Sequence, residues 1–214
     1  MKKTIIIISA IILTTLFTSC SSKEKPPRVR DESFIADIGP FEVGELHLYT
    51  AYGITRPKIS DFSIIFYPRS NNLSFRTKIG IDIVEFSFSY LERKQFFDAK
   101  NKYLELYNSG NIPNEKPKKK NALSTGNTYI GWGTLGPSHQ AYAPYYTNIE
   151  YILENKPYFR ILFEQSKELD DSGNSSPRVS IYISPAQWEQ IYELCNQASL
   201  EAHADEILAQ AEAF

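Results

Sequence analysis

Cysteine, histidine, methionine and tryptophan are scarce in this 214-residue chain, with two, three, one and two copies. Two cysteines are too few for a Cys-rich metal site. His47, His139 and His203 lie far apart, and none stands in a metal-ligand spacing. There is no G-x-S-x-G elbow, and adjacency alone does not make Ser138 and His139 a nucleophile–base pair. Asp82 and Glu85 lie three apart on an expected strand, so they face opposite ways and do not form paired carboxylates. Glu164, Glu168, Asp170 and Asp171 lack the spacing of a calcium loop with its closing bidentate Glu. A formal net charge of −2 gives no support to a general nucleic-acid or anionic-membrane binder. The reading is of a protein that is not an enzyme and that holds no metal and no cofactor.

What the chain does have is fourteen tyrosines and thirteen phenylalanines, a β-rich composition. It also has a marked start. Lys2 and Lys3 precede an apolar run over residues 5–17, and small residues precede Cys20. A basic segment, an apolar stretch of this length and small residues before a cut site make a secretory signal. The cysteine at the cut resembles a bacterial lipoprotein signal. That resemblance implies a diacylated Cys20 as the new N-terminus, an anchor in the cell envelope and a membrane as partner. Ser21 stands where enterobacterial lipoproteins kept on the inner membrane carry Asp, so the outer membrane is favoured. Two acyl chains, such as palmitate, suffice for stable anchoring. With Cys20 acylated, Cys195 has no intramolecular partner and is expected to pack as a small apolar residue in a helix. Removing residues 1–19 leaves 195 residues with 21 basic and 25 acidic side chains, a net charge of −4. Residues 20–33 comprise the lipidated cysteine and a charged flexible tether with Pro26-Pro27. Residues 34–214 are expected to form a single domain.

Alternation dominates from Val43 onward. Leu46, Leu48 and Thr50 share one face, and strands are expected over 63–67, 74–79 and 83–89. Helical spacing then places Phe96, Ala99, Tyr103 and Leu106 on one side of a helix over 90–108, ending at Ser109-Gly110. A lysine-bearing linker over 111–127 leads to strands near 128–132, 148–153, 158–164 and 179–184, and to a long helix from Pro185. Residues repeat along with this order. The segment 84–89 aligns with 179–184 at an offset of 95, and Phe75-Arg76 matches Phe159-Arg160 at an offset of 84. Ser89-x-x-Glu92 and Ser184-x-x-Gln187 are capping boxes, the second with Pro185 at the first helical position. The expected fold class is α+β: two pseudo-repeated ββββα units, about 43–110 and 127–214, each an antiparallel sheet followed by its helix.

Asn155-Lys-Pro-Tyr-Phe and Arg178-Val-Ser-Ile-Tyr-Ile-Ser184, running into an amphipathic helix, resemble the PUR repeat, whose strand–helix order Whirly proteins share. The resemblance implies an architecture of interlocked ββββα units. It does not carry the activity, because the Gly-Arg-Phe-Leu strand that PUR repeats use on nucleic acid is absent.

Gly131-Trp-Gly133-Thr-Leu-Gly136 has dinucleotide-site spacing. The Pro137 to Pro144 stretch that follows cannot supply the helix N-terminus that chemistry needs, so the glycines are expected to shape a turn. The same stretch carries Tyr129, Trp132, His139, Tyr142, Tyr145 and Tyr146 between prolines, which reads as a stiffened aromatic loop. Trp132, His139, Tyr142 and Tyr145 are the candidate ligand-binding residues. Lys116, Lys118, Lys119 and Lys120 read as a solvated surface run. The expectation is a lipid-anchored binding or interaction module for an envelope protein, small molecule or glycan, with nucleic acid disfavoured. The alternatives are an envelope hydrolase with dispersed catalytic residues, or an exported nucleic-acid or polyanion binder.

Overall fold

A computed structural model of the chain describes residues 32–113, 115–153, 155–170 and 173–212. The signal segment, Cys20 and nearly all of the tether lie outside the described residues. Eight strands follow one another as β1 (Phe41–Tyr52), β2 (Lys58–Tyr67), β3 (Asn72–Ile79), β4 (Asp82–Phe88), β5 (Ser124–Gly133), β6 (His139–Ile152), β7 (Lys156–Phe163) and β8 (Val179–Ile183). Helix α1 (Tyr90–Ser109) separates β4 from β5, and α2 (Pro185–Cys195) and α3 (Gln197–Glu212) follow β8.

Every strand pairs antiparallel with its sequence neighbours, and Tyr49 of β1 lies opposite Tyr182 of β8, so the sheet closes on itself as a barrel. This overturns the expected fold class of two ββββα units with separate sheets. The deciding contact is β4 against β5, where Phe86 pairs with Ile130 and Glu85 with Gly131. Alternation shows which face of a strand turns inward but not which neighbour it takes. An open four-stranded sheet and half of a closed barrel therefore carry the same pattern.

Closure leaves an interior just wide enough for side chains to fill. Phe62, Ile64 and Phe66 of β2, Phe86 of β4, and Phe159 and Phe163 of β7 are fully buried there. Phe86 and Phe163 stack at 4.4 Å across the middle. Each such ring is worth about 1.5–3 kcal/mol for its removal from water. Outward positions around the barrel include the polar Asp61, Ser63, Arg76, Glu85 and Gln140. This order is the reverse of a membrane-spanning barrel, which is apolar on the outside.

Both rims are defined by the register. At one, Phe88 ends β4 and Ile183 ends β8, and the chain turns straight into α1 and α2, covering that rim. Ser89 and Ser184 cap the two helices with reciprocal boxes, Ser89 with Glu92 and Ser184 with Gln187. Each cap satisfies amides that the first turn leaves free, worth about 0.5–2 kcal/mol. Phe96 of α1 sits between Phe88 and Tyr145 at 5.0 and 4.9 Å, and Trp188 of α2 meets Phe159 at 5.0 Å. At the opposite rim lie four loops: 53–57, 80–81, 134–138 and 164–178.

Two further expectations need correction. The helix expected to run unbroken from Pro185 stops at Asn196, whose backbone is extended. Asn196 Nδ2 donates to Tyr192 O at 2.7 Å, and its Oδ1 accepts from Ser199 N at 3.0 Å. One side chain thus ends α2 and opens α3, the competition with backbone bonding that Asn is suited to. The aromatic stretch expected as a loop is mostly strand: β5 and β6 form a hairpin through it, and Tyr129 pairs with Tyr142. Pro144 is accommodated on β6 as an outward residue. Gly133 makes the turn possible. Its φ is +155°, and a Cβ there would run into the Gly136 carbonyl and Ser138. Cys195 is buried at the end of α2, and burial pushes its thiol up to about 12. It behaves there as an apolar side chain.

Candidate functional site

Strand alternation divides the four candidate residues among three environments. Trp132 points inward near the loop rim, is 8% exposed, and stacks on His139 at 5.6 Å. His139 Nδ1 lies 2.7 Å from Glu168 Oε1, which fastens the 164–178 loop across the rim. Tyr145 points into the barrel, fully buried, and its hydroxyl donates to Gln95 Oε1 at 3.3 Å. Tyr142 alone faces outward, 60% exposed. Residues 142 and 145 are three apart on one strand and so cannot share a face.

The outward face around Tyr142 builds a groove of about 480 Å³. Its floor comes from the register: Ser74 of β3 lies opposite Ser87 of β4, and Ser87 opposite Tyr129 of β5. The serine hydroxyls are 3.3 Å apart. Small side chains in the middle and large ones on flanking strands make a trough, because neighbouring strands are only about 4.8 Å apart. Tyr67 of β2 forms one wall. Tyr129 and Tyr142 form the other, edge to face at 6.0 Å. Ser70, Asn72 and Asn127 line the end toward the helices.

One carboxylate organises the trough. Glu85 is almost completely buried although it stands on the outer face. Its Oε2 accepts from Arg76 Nε at 3.0 Å and Nη2 at 2.7 Å, and its Oε1 accepts from the Tyr67 hydroxyl at 3.1 Å. Such charge-assisted bonds fix both partners in one orientation. Burial first and the Glu85 carboxylate second push the Tyr67 and Tyr129 phenols above their ordinary value. Both therefore remain protonated at neutral pH. Burial pulls on the Arg76 guanidinium, but its bond to Glu85 holds it above its ordinary value. At the helical end, Glu92 Oε2 is taken up by Ser89, whereas its buried Oε1 has no partner among the described residues.

The lining offers hydroxyls, amides, two carboxylates and aromatic faces. It presents no thiol and no imidazole. The signal for Tyr67, Ser74, Glu85 and Ser87 was present in the sequence as outward positions of alternating strands. Their assembly needed the register.

No solved structure matches the chain. An uncharacterised protein of Treponema pallidum (strain Nichols) is 28% identical over 180 residues, covering 83% of this chain and 65% of the relative. The chain therefore spans about 65% of that relative's length. Residues 9–202 match a family described as uncharacterised Treponema protein, so the match takes in all eight strands, the groove and the first two helices. The chain belongs to that family of Treponema proteins.

Proposed function

We propose that the chain is a lipid-anchored protein of the bacterial cell envelope, on the outer membrane, whose barrel is a non-enzymatic binding module. Its ligand is a neutral, hydroxyl-rich molecule of the glycan class, held in the outer groove. The observation that carries the ligand reading is the trough itself: tyrosine rings flank a serine floor, and Arg76 and Tyr67 fix Glu85 beside it. Ring faces take the C–H face of a sugar, while amides, hydroxyls and carboxylate oxygens take its hydroxyl groups. The anchor reading rests on the basic start, the apolar run and Cys20.

The two halves of the proposal are tested separately. Replacing the exposed Tyr142 with Ala should weaken binding of a neutral oligosaccharide at least about tenfold. Stability should shift by less than about 0.5 kcal/mol, as for a surface change. Calorimetric titration of an oligosaccharide panel reads the first and a urea melt the second. Affinity unchanged in Tyr142→Ala, or no member of the panel bound, defeats the ligand reading. Metabolic labelling with palmitate should mark the wild-type protein and leave Cys20→Ala unlabelled. Label kept by the variant defeats the anchor.

A further inference from the structure

We infer that the loop rim of the barrel docks onto an anionic lipid surface. Among the described residues, the large aliphatic side chains more than half exposed are Ile54, Ile59, Ile81, Leu91, Leu135 and Leu169. All but Leu91 lie at this rim. Four come from four different loops: Ile54 from 53–57, Ile81 from 80–81, Leu135 from 134–138 and Leu169 from 164–178. Ile54 and Leu135 are 99% exposed, Ile81 73% and Leu169 53%. Soluble surfaces scatter such residues singly, so their gathering at one end needs a cause.

The loops are held in place. Leu169 N donates to Gln140 O at 2.9 Å, Thr134 Oγ1 to Asp82 Oδ1 at 3.3 Å, and Gly53 N to Arg178 O at 2.9 Å. The tips are therefore a fixed crown around the barrel axis. They stand on separate loops, Ile81 at the edge of the cleft beside the 53–57 loop and Leu135 at the edge of another. A protein partner would need a matching pit for each tip, whereas a bilayer asks only for depth.

Charge selects the kind of lipid. Arg56, Lys58 and Lys78 line the cleft of about 560 Å³ between the 53–57 and 80–81 loops. None of the three makes an ion pair with a described residue. Asp82 lines the same cleft and accepts from Thr134, and the 164–178 loop carries Glu164, Glu168 and Asp170, of which Glu168 meets His139. Net charge argued against an anionic surface, but this distribution places unpaired cations directly behind the apolar tips. Aliphatic ends at the acyl boundary and cations at headgroup level are what an anionic interface stabilises.

The test uses the full chain, reconstituted in nanodiscs of neutral phosphatidylcholine and offered phosphatidylglycerol-rich vesicles with brominated acyl chains. A solvatochromic label at Leu135→Cys should shift to the blue and be quenched. The same label at Lys102→Cys, on the exposed face of α1, should stay in water. Ile54→Ser combined with Ile81→Ser should weaken the vesicle response at least about tenfold, as expected for two aliphatic side chains kept out of lipid. Lys58→Glu combined with Lys78→Glu, or added salt, should weaken it as well. A label at residue 135 that remains in water, or equal quenching at residues 102 and 135, overturns the proposal. So does burial of the residue 135 label that depends on protein concentration and not on vesicles, which would make the crown a protein contact.

Discussion

Trp132→Ala should lower stability by about 3–5 kcal/mol in urea unfolding, the usual penalty for emptying a buried aromatic site. The indole is 8% exposed and lies against His139 at 5.6 Å, so its removal opens a void where β5 and β6 meet the loop rim. His139 would lose its stacking surface and with it the orientation that meets Glu168 at 2.7 Å. Loosening of the 164–178 loop, read as faster proteolysis there, should accompany the loss. Trp132→Phe should recover more than half of the stability. A change below about 0.5 kcal/mol would return Trp132 to the surface and reopen it as a ligand residue.

Arg93→Ala should cost a similar amount, about 3–5 kcal/mol, for a different reason. Arg93 is buried where α1, α3 and the 68–71 turn meet. Nη1 donates to Asn71 O at 2.7 Å and Phe88 O at 3.3 Å, and Nη2 to Asn71 Oδ1 at 2.7 Å and Gln197 Oε1 at 2.8 Å. Burial pulls the guanidinium down to about 10, which leaves it charged at neutral pH. The neutral oxygens around it offset the loss of water without a directly bonded carboxylate. Removing the donor leaves several of them buried and unpaired, each at about 1–3 kcal/mol. Arg93→Lys should rescue only part, since one ammonium cannot reach the turn and α3 together in the same fork. A loss below about 1 kcal/mol would show that the clamp contributes little.

Strands and caps were legible in the sequence because they depend on local rules. Leu46 and Leu48 alternate with Glu45 and His47 whatever the partner strand, and Ser89 with Glu92 closes a box within four residues. Closure of the barrel depends on Glu85 lying opposite Gly131 and Tyr49 opposite Tyr182, separations that no local period encodes. Prolines mislead at β6, because Pro144 reads as a sign of a loop. It sits instead on an outward strand position with Tyr142 and Tyr146, between the inward Ala143 and Tyr145. That one reading merged inward and outward rings into a single surface. It also hid the groove, whose floor is two serines that no motif would single out.

The rim at which the described chain enters has a mechanical consequence. Glu32 O accepts from Asn71 Nδ2 at 2.6 Å, and Ile35 N donates to Pro68 O at 2.9 Å, so residues 32–40 run along the helical rim before β1 begins. An attachment through the N-terminal segment and one through the loop crown would pull on opposite poles of the barrel axis. Tension along that axis draws β1 past β2 and β8 and does not peel them apart. Ladder hydrogen bonds lie across the strands, so the bonds of both ladders share such a shear and must yield nearly together. Peeling breaks them one at a time. Held this way, the barrel is a spacer that resists stretching along its axis and gives way most easily to a sideways pull on a single strand end.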